Sequence, residues 1–175
     1  MKYMGSKNRF AKELLPIILK DRTPKQWYYE PMVGGANMID KVIGNRIGSD
    51  FNSYVIDALI SIRDFIYELP KNNKEFTEED YKALRKNEYF KHKGYVGFSF
   101  SFGGKWLGGW SRTCARGLKK RDYVSESYRN ALRQNPKLQG VNLKTCSYNE
   151  LNIPENSIIY CDPPYEGTTK YSDVG

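Results

Sequence analysis

Histidine is almost missing from this chain. Its 175 residues hold one, His92, between Lys91 and Lys93. A Ser-His-Asp relay or a histidine-rich metal site therefore has nothing to build on, and His92 itself is expected on a solvated surface. Cysteine is scarce as well. Cys114, Cys146 and Cys161 are odd in number and in no metal-binding spacing. That argues against a disulfide framework and for a reducing cytoplasm. No run approaches the roughly 20 apolar residues of a membrane span, and Met1 to Lys7 lacks the apolar stretch of a signal peptide. Hydrophobic residues make up 39% and mean hydropathy is -0.69. These values describe a soluble chain, long enough for one domain with a small insertion.

Acidic residues are missing from one stretch in particular. Between Lys82 and Lys137 there are 3 Asp or Glu against 14 Lys or Arg, so the net charge of +8 resides there. The remainder is slightly acidic. Such a segment offers a surface to a polyanion.

The apolar pattern alternates between helix and strand. A helix is expected over Ser6 to Lys20, shortened or kinked by Pro16. A short strand follows at Trp27 to Tyr29, then a helix from Ala36 to Val42 and a second strand within Asn45 to Asp50. Asn52 or Ser53 caps a helix to about Leu69, with Val55, Leu59, Ile62 and Ile66 as its apolar stripe. Thr77 and Asp80 form a near capping box at the next helix. Gly94 to Trp110 holds six glycines and six aromatics and reads as a mobile insertion, although the alternation of Phe98, Phe100 and Phe102 also suits a half-buried strand. A helix over Ser125 to Gln134 and strands at Val141 to Cys146 and Ser157 to Cys161 complete the pattern. The fold class is α/β, with a basic insertion in the sheet.

Three places carry chemistry. Asp162-Pro163-Pro164-Tyr165 ends the last strand. A stiff turn there presents a carboxylate, a free carbonyl and an aromatic face at a sheet's carboxyl edge, where open α/β sheets bind ligands. A planar amino group suits it: the carboxylate and carbonyl accept its two N–H bonds and the ring stacks on its base. Glu30-Pro31-Met32-Val33-Gly34-Gly35 lies between a strand and a helix, and adjacent glycines let a nucleoside-type cofactor approach the backbone. It is not a GxGxxG loop. Asp50 stands 20 positions after Glu30, where a ribose-binding acid belongs in nucleoside-binding α/β folds.

Together with Lys2-Tyr3-Met4-Gly5-Ser6-Lys7, these motifs in this order resemble the Dam-like class of DNA adenine N6-methyltransferases, over nearly the whole chain. The resemblance implies a Rossmann-like class I fold that uses S-adenosyl-L-methionine. Residues 1–70 and 138–175 would form the methyltransferase domain, and 71–137 an inserted DNA-recognition subdomain. It implies cofactor contacts from Tyr3, Lys7, Glu30, Gly34, Gly35, Asp50, Tyr148 and Asp162, although Ser147 stands where the class often has an acid. Asp162, Pro163, Pro164 and Tyr165 would act on a flipped-out adenine in double-stranded DNA. Lys105, Arg112, Arg116, Lys119, Lys120 and Arg121 would contact the DNA. No metal is implied.

Three other readings are open. A cytosine N4-methyltransferase shares the amine chemistry but more often has serine at the position of Asp162. Methylation of RNA or a protein amide uses similar turns that begin with asparagine. A DNA-binding module without catalysis is the third. A cytosine C5 enzyme is rejected, because no cysteine follows a proline. Members of the resembling class continue well past the position of Gly175, so the polypeptide is expected to be truncated at its C-terminal side and weakly active or inactive. The last strand is then an open edge that a partner chain could cover.

Overall fold

The computed structural model describes residues 1–87, 89–112 and 121–163. Four parallel strands form one sheet: β1 (Tyr28–Glu30), β2 (Arg46–Asp50), β3 (Val141–Thr145) and β4 (Ile158–Ile159), in the order β3-β2-β1-β4. Tyr29 pairs with Ile47 on one side and with Ile159 on the other. Successive strands step outward from β1 to β2 to β3, and β4 returns to the far side of β1. The order therefore reverses between β1 and β4. This is a Rossmann-like arrangement, and its crevice lies outside the carboxyl ends of the strands at the reversal.

The helices are α1 (Ala11–Ile18), α2 (Ser53–Asp64), α3 (Glu78–Leu84), α4 (Lys93–Ser99) and α5 (Tyr123–Leu138). Three of them start on a side-chain cap. The Asn52 side chain accepts from the Tyr54 amide at 3.0 Å and begins α2. Thr77 and Asp80 close a capping box on α3, and Asp122 caps α5 through the Ser125 amide at 2.9 Å. Helix α2 buries Val55, Ala58, Leu59 and Ile62. Its end and that of α5 are tied together at the amino edge of the sheet. Asn135 donates to the Ile62 and Arg63 carbonyls, and buried Arg46 donates to the Lys137 and Gln139 carbonyls.

Several expectations need correction. The first helix is shorter than Ser6 to Lys20, because Tyr3 to Lys7 is committed to the crevice wall and turns lead into Ala11. The helix expected at Ala36 to Val42 shrinks to a single 3-10 turn, Ile39–Lys41. Ala36 sits at φ 55, which a right-handed helix cannot include. The helix to Leu69 stops at Asp64, and a 3-10 turn at Ile66–Glu68 follows.

The largest correction concerns the glycine-rich stretch. Lys93–Ser99 is a helix with every residue buried, neither a mobile insertion nor a strand. Gly94 and Gly97 lie three apart on one face, and their missing side chains admit neighbours. Gly94 meets the α2 backbone, where its amide donates to Asp57 at 2.7 Å, and Gly97 meets the Trp106 ring. Phe98 and Phe100 are buried while Phe102 is exposed. His92 is not solvated either. It precedes α4 at φ 59, its Nδ1 lies 2.9 Å from Ser61 Oγ, and its side chain is 9% exposed.

Candidate functional site

All four strand ends open onto one cleft of about 400 Å³, within the roughly 300–1,000 Å³ typical of ligand sites. Glu30 to Gly35 comes from the end of β1 and Asp50 with Phe51 from the end of β2. Tyr148 follows β3, and Asp162 with Pro163 follows β4. Tyr3 to Lys7 forms a wall. The cleft thus sits where the strand order reverses, and it gathers the three motifs that the sequence singles out.

The glycine turn is shaped by its neighbours. Gly34 has φ +46, and a Cβ there would lie 2.8 Å from the Tyr3 ring. Tyr3 packs flat against a surface that only glycine leaves open. The Gly34 amide donates to Asp50 Oδ2 at 3.1 Å, and the Asn52 amide donates to Oδ1 at 3.0 Å. Asp50 is therefore held in place by backbone on both oxygens. Burial pushes its carboxyl up, and these two amides pull the other way. Each oxygen keeps a lone pair for a hydroxyl in the cleft. Underneath, the Gln134 amide nitrogen donates to the Gly35 carbonyl at 3.0 Å and to Asp40 at 3.1 Å, tying the turn to α5.

Glu30 is 3% exposed and accepts from the Tyr28 hydroxyl at 2.8 Å. Burial pushes its carboxyl up to about 8, against the opposing hydrogen bond from Tyr28. It is largely neutral at pH 7. Because the folded state holds this proton over a pH range in which the unfolded chain releases it, stability falls as pH rises from the ordinary carboxylate range toward 8. The slope is at most about 1.4 kcal/mol per pH unit from this one group. Replacing Glu30 by glutamine is expected to flatten that decline. Thermal melts of both proteins at pH 6 and pH 9 test it, and parallel curves would refute it.

Asp162 ends this arrangement. Its two oxygens lie 2.7 and 2.6 Å from Lys7 Nζ, across 155 residues of sequence. Pro163 lines the cleft beside it. Pro164 and Tyr165 lie outside the described residues, as do Arg116, Lys119 and Lys120. Two aromatics border the cleft with most of their surface open: Tyr148, expected from sequence, and Phe51, which was not. The signal for Phe51 was its place directly after the strand-end acid.

The remaining expected DNA contacts sit on different neighbours. Arg112 is ion-paired with Glu78 at the start of α3. Arg121 pairs with Glu126 at 2.6 Å and lies over the Tyr123 ring. Lys105 is exposed next to Gly104, which abuts the Lys2–Tyr3 backbone. The sequence reading passed over Arg129 and Arg133, which share a polar groove on α5 with Arg121.

The fold and site define a Rossmann-like α/β protein with a nucleoside-sized cleft at the strand-order reversal. No family model matches the chain. It is similar to the Type II methyltransferase M.FokI of Planomicrobium okeanokoites, 24% identical over 196 aligned residues. The match takes in 99% of this chain and 30% of that protein, so the chain spans less than a third of its relative.

Proposed function

We propose that the protein transfers a methyl group from S-adenosyl-L-methionine to adenine N6 of a base flipped out of duplex DNA. One observation carries this reading: the glycine turn, Asp50 and Asp162–Pro163 converge on one cleft at the carboxyl ends of β1, β2 and β4. Similarity to a Type II methyltransferase supports it, as does the basic segment.

The residues present fit that cofactor. Gly34 and Gly35, with neutral Glu30 beneath, border the space for its methionine and sugar. Asp50 has lone pairs for the ribose hydroxyls. Phe51 and Tyr148 offer ring faces to its adenine, and Tyr3 closes the near side. When bound, it supplies an electrophilic methyl group on a sulfonium. The chain's own task is to make a poor nucleophile react. An exocyclic amine has its lone pair delocalised into the ring. Hydrogen bonds from that amine to the Asp162 carboxylate and the Pro163 carbonyl favour a pyramidal nitrogen and aim its lone pair at the methyl. Asp162 need take no proton before transfer. Tyr165 is assigned the ring that stacks on the base. Lys105, Arg112, Arg116, Lys119, Lys120 and Arg121, in a recognition subdomain over 71–137, hold the duplex.

Incubation with methyl-labelled cofactor and unmethylated DNA, then digestion to nucleosides, is expected to yield labelled N6-methyladenine. Label on cytosine would overturn the assignment, as would no label on any nucleoside from a chain extended past Gly175. Asp50→Ala is expected to weaken cofactor binding about 10- to 100-fold, the loss of hydrogen bonds to a charged group. Isothermal titration calorimetry measures it, and unchanged affinity would remove Asp50 from the site.

A further inference from the structure

Lys7 lies on the N-terminal wall of the cleft, and its ammonium is turned to the carboxylate that ends the opposite strand. The contact is bidentate: both Asp162 oxygens are within 2.7 Å. Each partner keeps about a fifth of its side-chain surface exposed, 20% for Lys7 and 22% for Asp162, so the pair is open to the cleft. We infer that Lys7 is a positioning residue for Asp162, fixing the carboxylate plane in which the target amine must find its acceptor. This role rests on the methyltransferase reading above.

The physical argument starts from what surrounds Asp162. It follows a strand of only two residues, β4, on the sheet's outer edge, and its side chain has two rotatable bonds. A partner that grips both oxygens fixes the orientation of such a group. An ammonium bridging both oxygens takes one lone pair from each. A carboxylate has about four lone-pair sites, so an ammonium that takes two does not by itself exhaust its capacity to accept from the amine. Lys7 therefore directs the acceptor without using it up. It is itself steadied by a weaker contact to the Gly5 carbonyl at 3.4 Å. Reaction rates depend steeply on this kind of placement, and an error near 1 Å costs on the order of 10²-fold. The same geometry separates this role from direct cofactor binding, since the ammonium's two short contacts point to the substrate-side carboxylate.

Two variants and one spectrum test it. Lys7→Met keeps the chain length and removes the charge; Lys7→Arg keeps the charge and a fork that can chelate a carboxylate. In methyl-transfer assays on duplex DNA, Lys7→Met is expected to lower kcat about 10²-fold with cofactor affinity retained, and Lys7→Arg to restore most of the loss. In the DNA-free, cofactor-free protein, the 15N–1H signal of the Lys7 ammonium is expected to be protected from exchange, and to lose that protection in Asp162→Asn. A Lys7→Met protein with wild-type kcat, or with a loss confined to cofactor affinity, would overturn the positioning role and leave the methyltransferase reading standing. An ammonium signal indifferent to Asp162→Asn would overturn it without any assay. A protected signal with no adenine methylation even from a chain extended past Gly175 would overturn the parent reading and this role together.

Discussion

Asp162→Asn is expected to slow methyl transfer about 10²- to 10³-fold, the range for removing one preorganised polar group from a reaction centre. Asparagine has nearly the same shape and still offers one carbonyl oxygen. What changes is charge and direction. A hydrogen bond to a carboxylate is roughly twice as strong as one to a neutral amide, and in the proposed reaction positive charge grows on the amine as the methyl arrives. Without the carboxylate, that charge has no partner in the cleft at this position. The new NH2 group would also face the Lys7 ammonium, donor against donor, so the bidentate contact at 2.6 and 2.7 Å cannot form. Both effects act on the chemical step. Single-turnover rates with saturating cofactor separate them from binding. A rate within a few-fold of wild type would show that Asp162 is not the amine's acceptor.

Gly94→Ala is expected to destabilise the protein by about 3 kcal/mol, near the upper end for overpacking a buried contact. In a chain of this size that corresponds to a Tm lower by roughly 10 °C. The sign is the informative part. In the interior of an ordinary helix the same change stabilises by up to about 1 kcal/mol. Here the added Cβ would lie 2.1 Å from the Tyr54 carbonyl oxygen and 2.8 Å from the Ala58 nitrogen. Both are backbone atoms of α2, which cannot rotate away as a side chain would. Relief would come only by separating α4 from α2, and with it the stack of Tyr54 on Trp106 at 4.2 Å. Thermal unfolding decides the matter, and an unchanged or raised Tm would mean that the two helices do not pack this closely.

The two predictions draw on different kinds of information. The gathering of Asp162 with the other motifs at one cleft was legible from residue types and order. A short apolar run ending in acid and proline marks a strand end, and the Glu30 to Gly35 turn with an acid 20 positions after Glu30 marks a second and a third. Parallel strands then bring such ends to one edge, because every strand points the same way. The caps at Asn52 and Thr77 were equally legible, since a cap is satisfied within three residues of itself.

Gly94 shows the limit of that reading. Glycine lowers helix propensity, so the local signal in Gly94 to Trp110 favoured a loop. What made a helix of Lys93–Ser99 was the fit of its bare face against α2, nearly 40 residues earlier in the chain. His92 was misjudged for the same reason, its lysine neighbours in sequence hiding Ser61 and Phe65 in space. Lys7 is the clearest case. The sequence placed a lysine in an N-terminal motif and an aspartate in a C-terminal one; only the tertiary structure, by setting β4 beside β1, brought the two charges to 2.6 Å. Sequence determined which groups this protein has for chemistry and which edge they share, because strand ends, turns and caps are local. Packing across distant segments decided which of those groups touch, because contacts between them depend on how helices and strands fit, and no local pattern encodes that fit.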